Sequence, residues 1–287
     1  MINVCLKLNS NKYTYFTSIT LLLYNNVIAN WIEEGEVVSI IDTFDDTSEE
    51  IIKSSNITET VNDFPELVDV TFKEEVLDFV QKMDDSVQIS TMNAGYKIPI
   101  YKIKYKGKYI AIYQTVVGGA ASAGLVEEVI AKGGKKFVFF GSCGTLDNEI
   151  LAGNLMVPIA AYRDEGTSYH YAPVSDYIEV ETAEKLSEIL SQMDIPYVKG
   201  RTWTTDGFYR ETRKNMLARK SDGCITVEME CASIMAVSKF RKIKLYQYLY
   251  TEDNLDSETW DSRTMGKVPK TELEKYLRIA LEIAIRV

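Results

Sequence analysis

The sequence predicts a three-layer α/β/α fold built on a central mixed sheet, and three observations predict it. From about residue 96 onward, strand-length apolar runs alternate with segments of helical periodicity. One run, residues 136–140, has the character of a strand buried on both faces. Several strand ends are glycine-rich or polar, as they are where a ligand approaches the backbone of an α/β sheet.

The elements follow in order. Residues 1 to about 60 hold clustered Asn, Ser and Thr, an acidic run over 42–50, and room for a short strand over 36–41. Residues 72–83 place Phe72, Val76, Phe79, Val80 and Met83 at helical spacing. Residues 96–105 and 108–117 alternate apolar and polar around Lys106-Gly107, which predicts a β-hairpin. A helix over 120–132 carries Leu125, Val126, Val129 and Ile130 on one side and ends at Gly133-Gly134. The strand over 136–140 is expected to stop at Gly141-Ser142-Cys143-Gly144. Further strands are expected over 154–158, 197–203, 225–227 and 244–250, and helices over 181–193, 229–240 and 270–285. With no repeat and no low-complexity linker, the chain reads as a single domain, 1–287, with a divergent N-terminal portion over about 1–90.

Composition narrows the function. The 287 residues are 46% apolar and 26% charged, with a formal net charge of −10. That acidity argues against nucleic acid as a partner, since phosphate backbones require Lys/Arg stripes. His170 is the one histidine, and Cys5, Cys143, Cys224 and Cys231 fit neither a zinc site nor a disulfide framework. No metal or cofactor is therefore expected, and the thiols point to a reducing, cytoplasmic setting. The early apolar stretch over 19–24 is too short to span a bilayer, and no signal peptide stands out, so no membrane partner is expected.

Four segments carry candidate chemistry. Gly118-Gly119 is a tight turn or a ligand loop. Gly141-Ser142-Cys143-Gly144 follows a buried strand. Glu228-Met229-Glu230 sits at a strand-to-helix junction, where its carboxylates complement the helix dipole or bind a ligand. Asp253-Asn254 at a strand end is a turn or a helix cap.

Together these segments resemble the nucleoside phosphorylase family of the purine nucleoside/uridine phosphorylase type. The resemblance rests on Gly141-Ser142-Cys143-Gly144-Thr145-Leu146, Gly153-Asn154-Leu155-Met156-Val157-Pro158 and the run from Arg163 to Tyr171. Thr204-Thr205-Asp206-Gly207-Phe208-Tyr209 and Val227-Glu228-Met229-Glu230-Cys231-Ala232 extend it, over roughly residues 115–254. It implies a phosphorylase/hydrolase-like fold and cleavage of a nucleoside to free base and ribose-1-phosphate, with phosphate as co-substrate and a homo-oligomeric assembly. It implies that Glu230, with Glu228 beside it, accepts hydrogen bonds from the ribose hydroxyls while Met229 packs on the sugar. Phe208 resembles the aromatic that stacks on the base. Thr115, Gly118 and Gly119 resemble the loop skirting the nucleoside, and Ser142, Cys143 and Gly144 sit where the family contacts base or phosphate. Asp253 resembles the aspartate with which purine-acting members protonate the leaving base at N7, so a purine is favoured. Arg163 and His170 are given structural roles.

Phosphate binding departs from the family. The position where phosphorylases carry an arginine, two residues before the central Gly-Ser, is Phe139, and residues 1–90 contain no arginine. The N-terminal histidine that reaches the sugar 5′-hydroxyl from a neighbouring subunit also has no counterpart. A dianion needs charged partners. Arg201, Arg210 and Arg213 are the candidates for it. Two alternatives stand beside phosphorolysis: a nucleosidase that uses water, since related hydrolases lack the same arginine, and a non-catalytic nucleoside sensor.

Overall fold

The Lys106-Gly107 pair shows how local sequence sets this architecture. Both residues adopt positive φ, 46° and 85°, the combination a two-residue hairpin turn demands. They join β5 (Lys97–Tyr105) to β6 (Lys108–Gln114), antiparallel and in register from Tyr105–Lys108 to Ile100–Tyr113. The computed structural model describes residues 39–287 and the backbone of Cys5–Leu8 and Lys12–Tyr15.

The chain divides into two compact units, Met1–Ile40 and Ile41–Val287. In the first, β1 (Cys5–Leu8) pairs antiparallel with β2 (Lys12–Tyr15). The strand expected over 36–41 falls partly outside the described residues, and Ile40–Asp42 is a 3-10 turn.

The second unit holds a ten-stranded mixed sheet. Besides β5 and β6 it contains β3 (Leu67–Thr71), β4 (Val87–Asn93), β7 (Lys136–Thr145), β8 (Leu155–Asp164), β9 (Tyr177–Glu179), β10 (Tyr197–Thr205), β11 (Cys224–Glu228) and β12 (Lys244–Asn254). The order is β11-β10-β8-β12-β7-β3-β6-β5-β4, with β9 beside β8. β7 lies parallel to both β3 and β12, whereas β5 runs antiparallel to both β4 and β6. The far end of β7 also pairs antiparallel with β11, through Gly144–Val227 and Thr145–Thr226, so β7, β12, β8, β10 and β11 close on themselves.

Helices cover both faces. On one, α1 (Ser54–Ile57), α3 (Gly119–Lys132) and α6 (Cys231–Phe240) pack together. On the other, α2 (Glu74–Gln81), α4 (Ala183–Gln192) and α7 (Lys270–Ala284) do so, while α5 (Arg213–Ser221) lies against β11. The three-layer expectation is met. One core runs through both faces, with Phe137, Val138, Phe139 and Phe140 of β7 almost wholly buried at its centre. No helix among the described residues is long and apolar enough to cross a membrane.

Two differences from expectation have physical causes. β7 continues through Gly141 and Gly144 instead of stopping. These glycines leave room for neighbours: a Cβ on Gly141 would lie 2.6 Å from the Phe72 ring, and one on Gly144 2.7 Å from Leu255. β3 carries a fully buried Asp69 that interrupts its apolar pattern, and burial pushes that carboxyl well above its ordinary value.

Candidate active site

β7, β11 and β12 present their C-terminal ends on one side of the closed ring, where α/β sheets bind ligands. A cavity of about 350 Å³ opens there. Ser142, Cys143 and Gly144 of β7 form one wall, and Asp253 of β12 another. Glu228, Met229 and Glu230, between β11 and α6, form a third, and Phe208 closes the fourth.

The two glutamates of the third wall divide their work. Glu228 is saturated: its Oε1 accepts the Thr204 hydroxyl at 2.6 Å, and its Oε2 accepts the backbone N–H of Glu230 at 2.8 Å and of Cys231 at 2.6 Å. It therefore serves the unpaired N–H groups at the start of α6. Glu230 Oε1 accepts the backbone N–H of Gly118 at 2.6 Å. Gly118 has φ +108°, which only glycine adopts readily, so the loop aims its amide at this carboxylate. Burial lifts both carboxyls above their ordinary range; hydrogen bonds restrain the rise at Glu228, and the charge of Glu228 adds to it at Glu230.

Asp253 is 6% exposed. Its Oδ2 accepts the Trp260 indole N–H at 2.8 Å, and its Oδ1 lies 3.0 Å from where a Cβ on Gly144 would sit. Burial raises its carboxyl and the Trp260 hydrogen bond holds it back. The cavity so formed joins a carboxylate that accepts one backbone N–H, an apolar sulfur side chain, an aromatic ring and a desolvated acid.

Residues 68–284 match the family model described as Phosphorylase superfamily.

The chain belongs to the phosphorylase superfamily.

It is 25% identical to the guanosine phosphorylase of Halorubrum lacusprofundi over 214 residues, which is 74% of this chain and 86% of that one. It is 27% identical to the purine nucleoside phosphorylase of Plasmodium vivax over 222 residues, 73% of this chain and 86% of the relative. A uridine phosphorylase from Thermococcus kodakarensis is 36% identical over a shorter 108 residues, 37% and 39% of the two chains. Among solved structures, purine nucleoside phosphorylase from Toxoplasma gondii in complex with immucillin-H has the same fold, with a TM-score of 0.65, 16% identity, and coverage of 85% of this chain and 98% of that one. The phosphorylase superfamily is thus the enzyme family that the sequence motifs resemble.

In this superfamily member the remaining expected residues are spread more widely. Gly119 begins α3 against α6, where a Cβ would lie 2.2 Å from Ser233 Oγ. Thr115 is buried and does not line the cavity: its N–H donates to Thr71 O at 2.8 Å and its hydroxyl meets Ser122 Oγ at 3.0 Å. Arg201 stacks on Tyr177 and donates to Asp222 O, and Arg210 is exposed on a 3-10 turn; neither lines the cavity. Arg213 donates to the carbonyls of Leu255 and Ser257 and faces an adjoining cavity. Arg163 is committed to structure, stacked 3.9 Å from the Tyr169 ring centre and donating to Ser168 and to the carbonyls of Pro173 and Ala172. His170 meets Thr43 Oγ1 at 3.4 Å.

The cavity also includes residues that the motifs did not single out, chiefly Phe72, Glu211, Glu252 and Leu255. Glu252 is paired with Lys73 at 3.0 Å. Glu211 makes no side-chain hydrogen bond among the described residues, and burial, with the charge of Asp253, pushes it up to about 8. No motif in the sequence marks this position. Among the described residues, five carboxylates and no Lys, Arg or His line the cavity.

Proposed function

We propose that this enzyme cleaves the N-glycosidic bond of a purine nucleoside, transferring the ribosyl group to phosphate. The observation that carries the reading is that Glu230, Met229, Phe208 and Asp253 line one cavity. The roles follow from the chemistry of those groups. Glu230 accepts the ribose hydroxyls, and the negative charge of its ionised form, which burial disfavours until a cation forms beside it, stabilises the sugar as it becomes cationic when the bond breaks. Phe208 stacks on the base. The C1′–N9 bond breaks with its electron pair moving into the purine, and the Asp253 carboxyl supplies a proton at N7. A phosphate oxygen then attacks C1′ to give ribose-1-phosphate. General-acid help of this kind contributes roughly 10²–10⁴-fold. The Plasmodium and Halorubrum relatives, named for purine nucleoside and guanosine phosphorolysis, support the choice of base.

A second reading, hydrolysis by water, is favoured by the described lining residues, which include no cation. It uses the same sugar and base walls and yields free ribose. Incubating inosine and guanosine with and without phosphate tests the pair. Ribose-1-phosphate formation supports the first reading, base release indifferent to phosphate supports the second, and purine nucleosides left intact in both contradict both. The free thiols of Cys143, Cys224 and Cys231 support a cytoplasmic setting, and the family resemblance supports a homo-oligomer.

A further inference from the structure

Beyond the base end of the cavity lies a second one of about 350 Å³. The two share four walls: Phe208, Glu211, Asp253 and Leu255 line both. The outer cavity adds Tyr209 and Trp260, which are 93% and 59% exposed. Tyr209 stands edge-on to Phe208, their ring centres 5.0 Å apart. Exposed aromatic surface of this kind costs free energy when nothing covers it, and it offers a flat apolar group both stacking and edge contacts.

The purine itself says which group would arrive there. N7 and the substituent at position 6 lie on the same edge of the ring system. If Asp253 faces N7, a substituent at position 6 projects past Asp253 toward Glu211, the two carboxyls that line both cavities. Glu211 is positioned to accept an exocyclic N–H at that threshold, because an unpartnered carboxyl oxygen is an acceptor for it.

We propose that the outer cavity is a subsite for a flat, apolar substituent carried on the 6-amino group of a purine nucleoside, so that 6-arylalkylamino purine nucleosides are substrates. The proposal rests on the purine reading of Asp253 and extends it from the ring to what the ring carries. Tyr209 and Trp260 flank the substituent, Glu211 holds the amine, and the reacting C1′–N9 bond stays at the inner end between Met229 and Asp253.

The experiment compares kcat/KM for inosine, adenosine and N6-benzyladenosine, in the full chain and in Glu258→Trp. Glu258 lines only the outer cavity and is exposed, so an indole there fills the subsite without entering the core. The expected result is N6-benzyladenosine cleaved at least as well as adenosine. Glu258→Trp should then lower the benzyladenosine-to-adenosine ratio by at least about tenfold, the size of discrimination that pocket shape alone provides. Cleavage of inosine or adenosine with exclusion of N6-benzyladenosine would overturn the subsite and leave the purine reading standing. A ratio unmoved by Glu258→Trp would also overturn it. Failure to cleave any of the three would remove the purine reading itself.

Discussion

The Trp260 indole donates its N–H to Asp253 Oδ2 at 2.8 Å, tying an exposed loop residue to the buried acid at the end of β12. A hydrogen bond to a carboxylate favours the ionised form, and here it offsets the rise that burial imposes on Asp253. Trp260→Phe removes that bond and moves the Asp253 carboxyl further up. An acid that must be protonated loses activity as pH rises through its pKa, so the alkaline limb of kcat should move to higher pH. A pH–rate profile of the variant checks this, and a limb that moves down or stays in place contradicts it.

Gly144 supplies a steric test of the same acid. A methyl group there would sit 3.0 Å from Asp253 Oδ1 and 2.7 Å from Leu255 Cδ1. The carboxyl must give way by a fraction of an ångström. Gly144→Ala is expected to fold, with base release slowed by about 10- to 100-fold, because small misplacements of a catalytic group are costly. Wild-type rates in a folded Gly144→Ala protein would mean that Asp253 Oδ1 is not held against Gly144 during the reaction.

Glu211 leaves a signature in stability. Its carboxyl has an ordinary value of 4.5 and sits at about 8 in the fold, through burial first and the charge of Asp253 second. Between those values the unfolded chain has released the proton and the folded chain retains it. The folded state binds more protons, so its stability falls as pH rises from about 4.5 to about 8. In Glu211→Gln that share of the fall disappears. Melting temperatures measured across this window should decline less steeply than in the wild type, and an equal slope would place Glu211 in a more solvated position.

Much of the second unit was legible because its patterns are local. The β5–β6 hairpin followed from alternation around Lys106-Gly107, and α3 from apolar spacing that ends at Gly133. What was hidden depended on distant neighbours. Gly141 and Gly144 looked like the end of a strand, yet they continue β7 because Phe72 and Leu255 occupy the space a side chain would need. α5 passed unnoticed because Met216 is its one buried residue, so it has no apolar stripe. Within the site, Glu228, Met229, Glu230 and Asp253 were marked by motifs, and the structure sets them around one cavity. Glu211 carried no motif, and its importance comes from desolvation beside Asp253, which no spacing rule encodes. Phe139 is explained by packing: it is fully buried against Phe72, with ring centres 6.3 Å apart, where a guanidinium would be desolvated.

The cleavage reading stands or falls on Asp253. The decisive measurement is the rate of base release from inosine and guanosine by the wild type and by Asp253→Asn, with nucleoside binding measured in parallel. The wild type should release free purine, and Asp253→Asn should be slower by at least about tenfold, the low end of the loss per general acid being greater still, while binding is largely kept. An unchanged rate in Asp253→Asn, or no purine release by the wild type, would contradict the account.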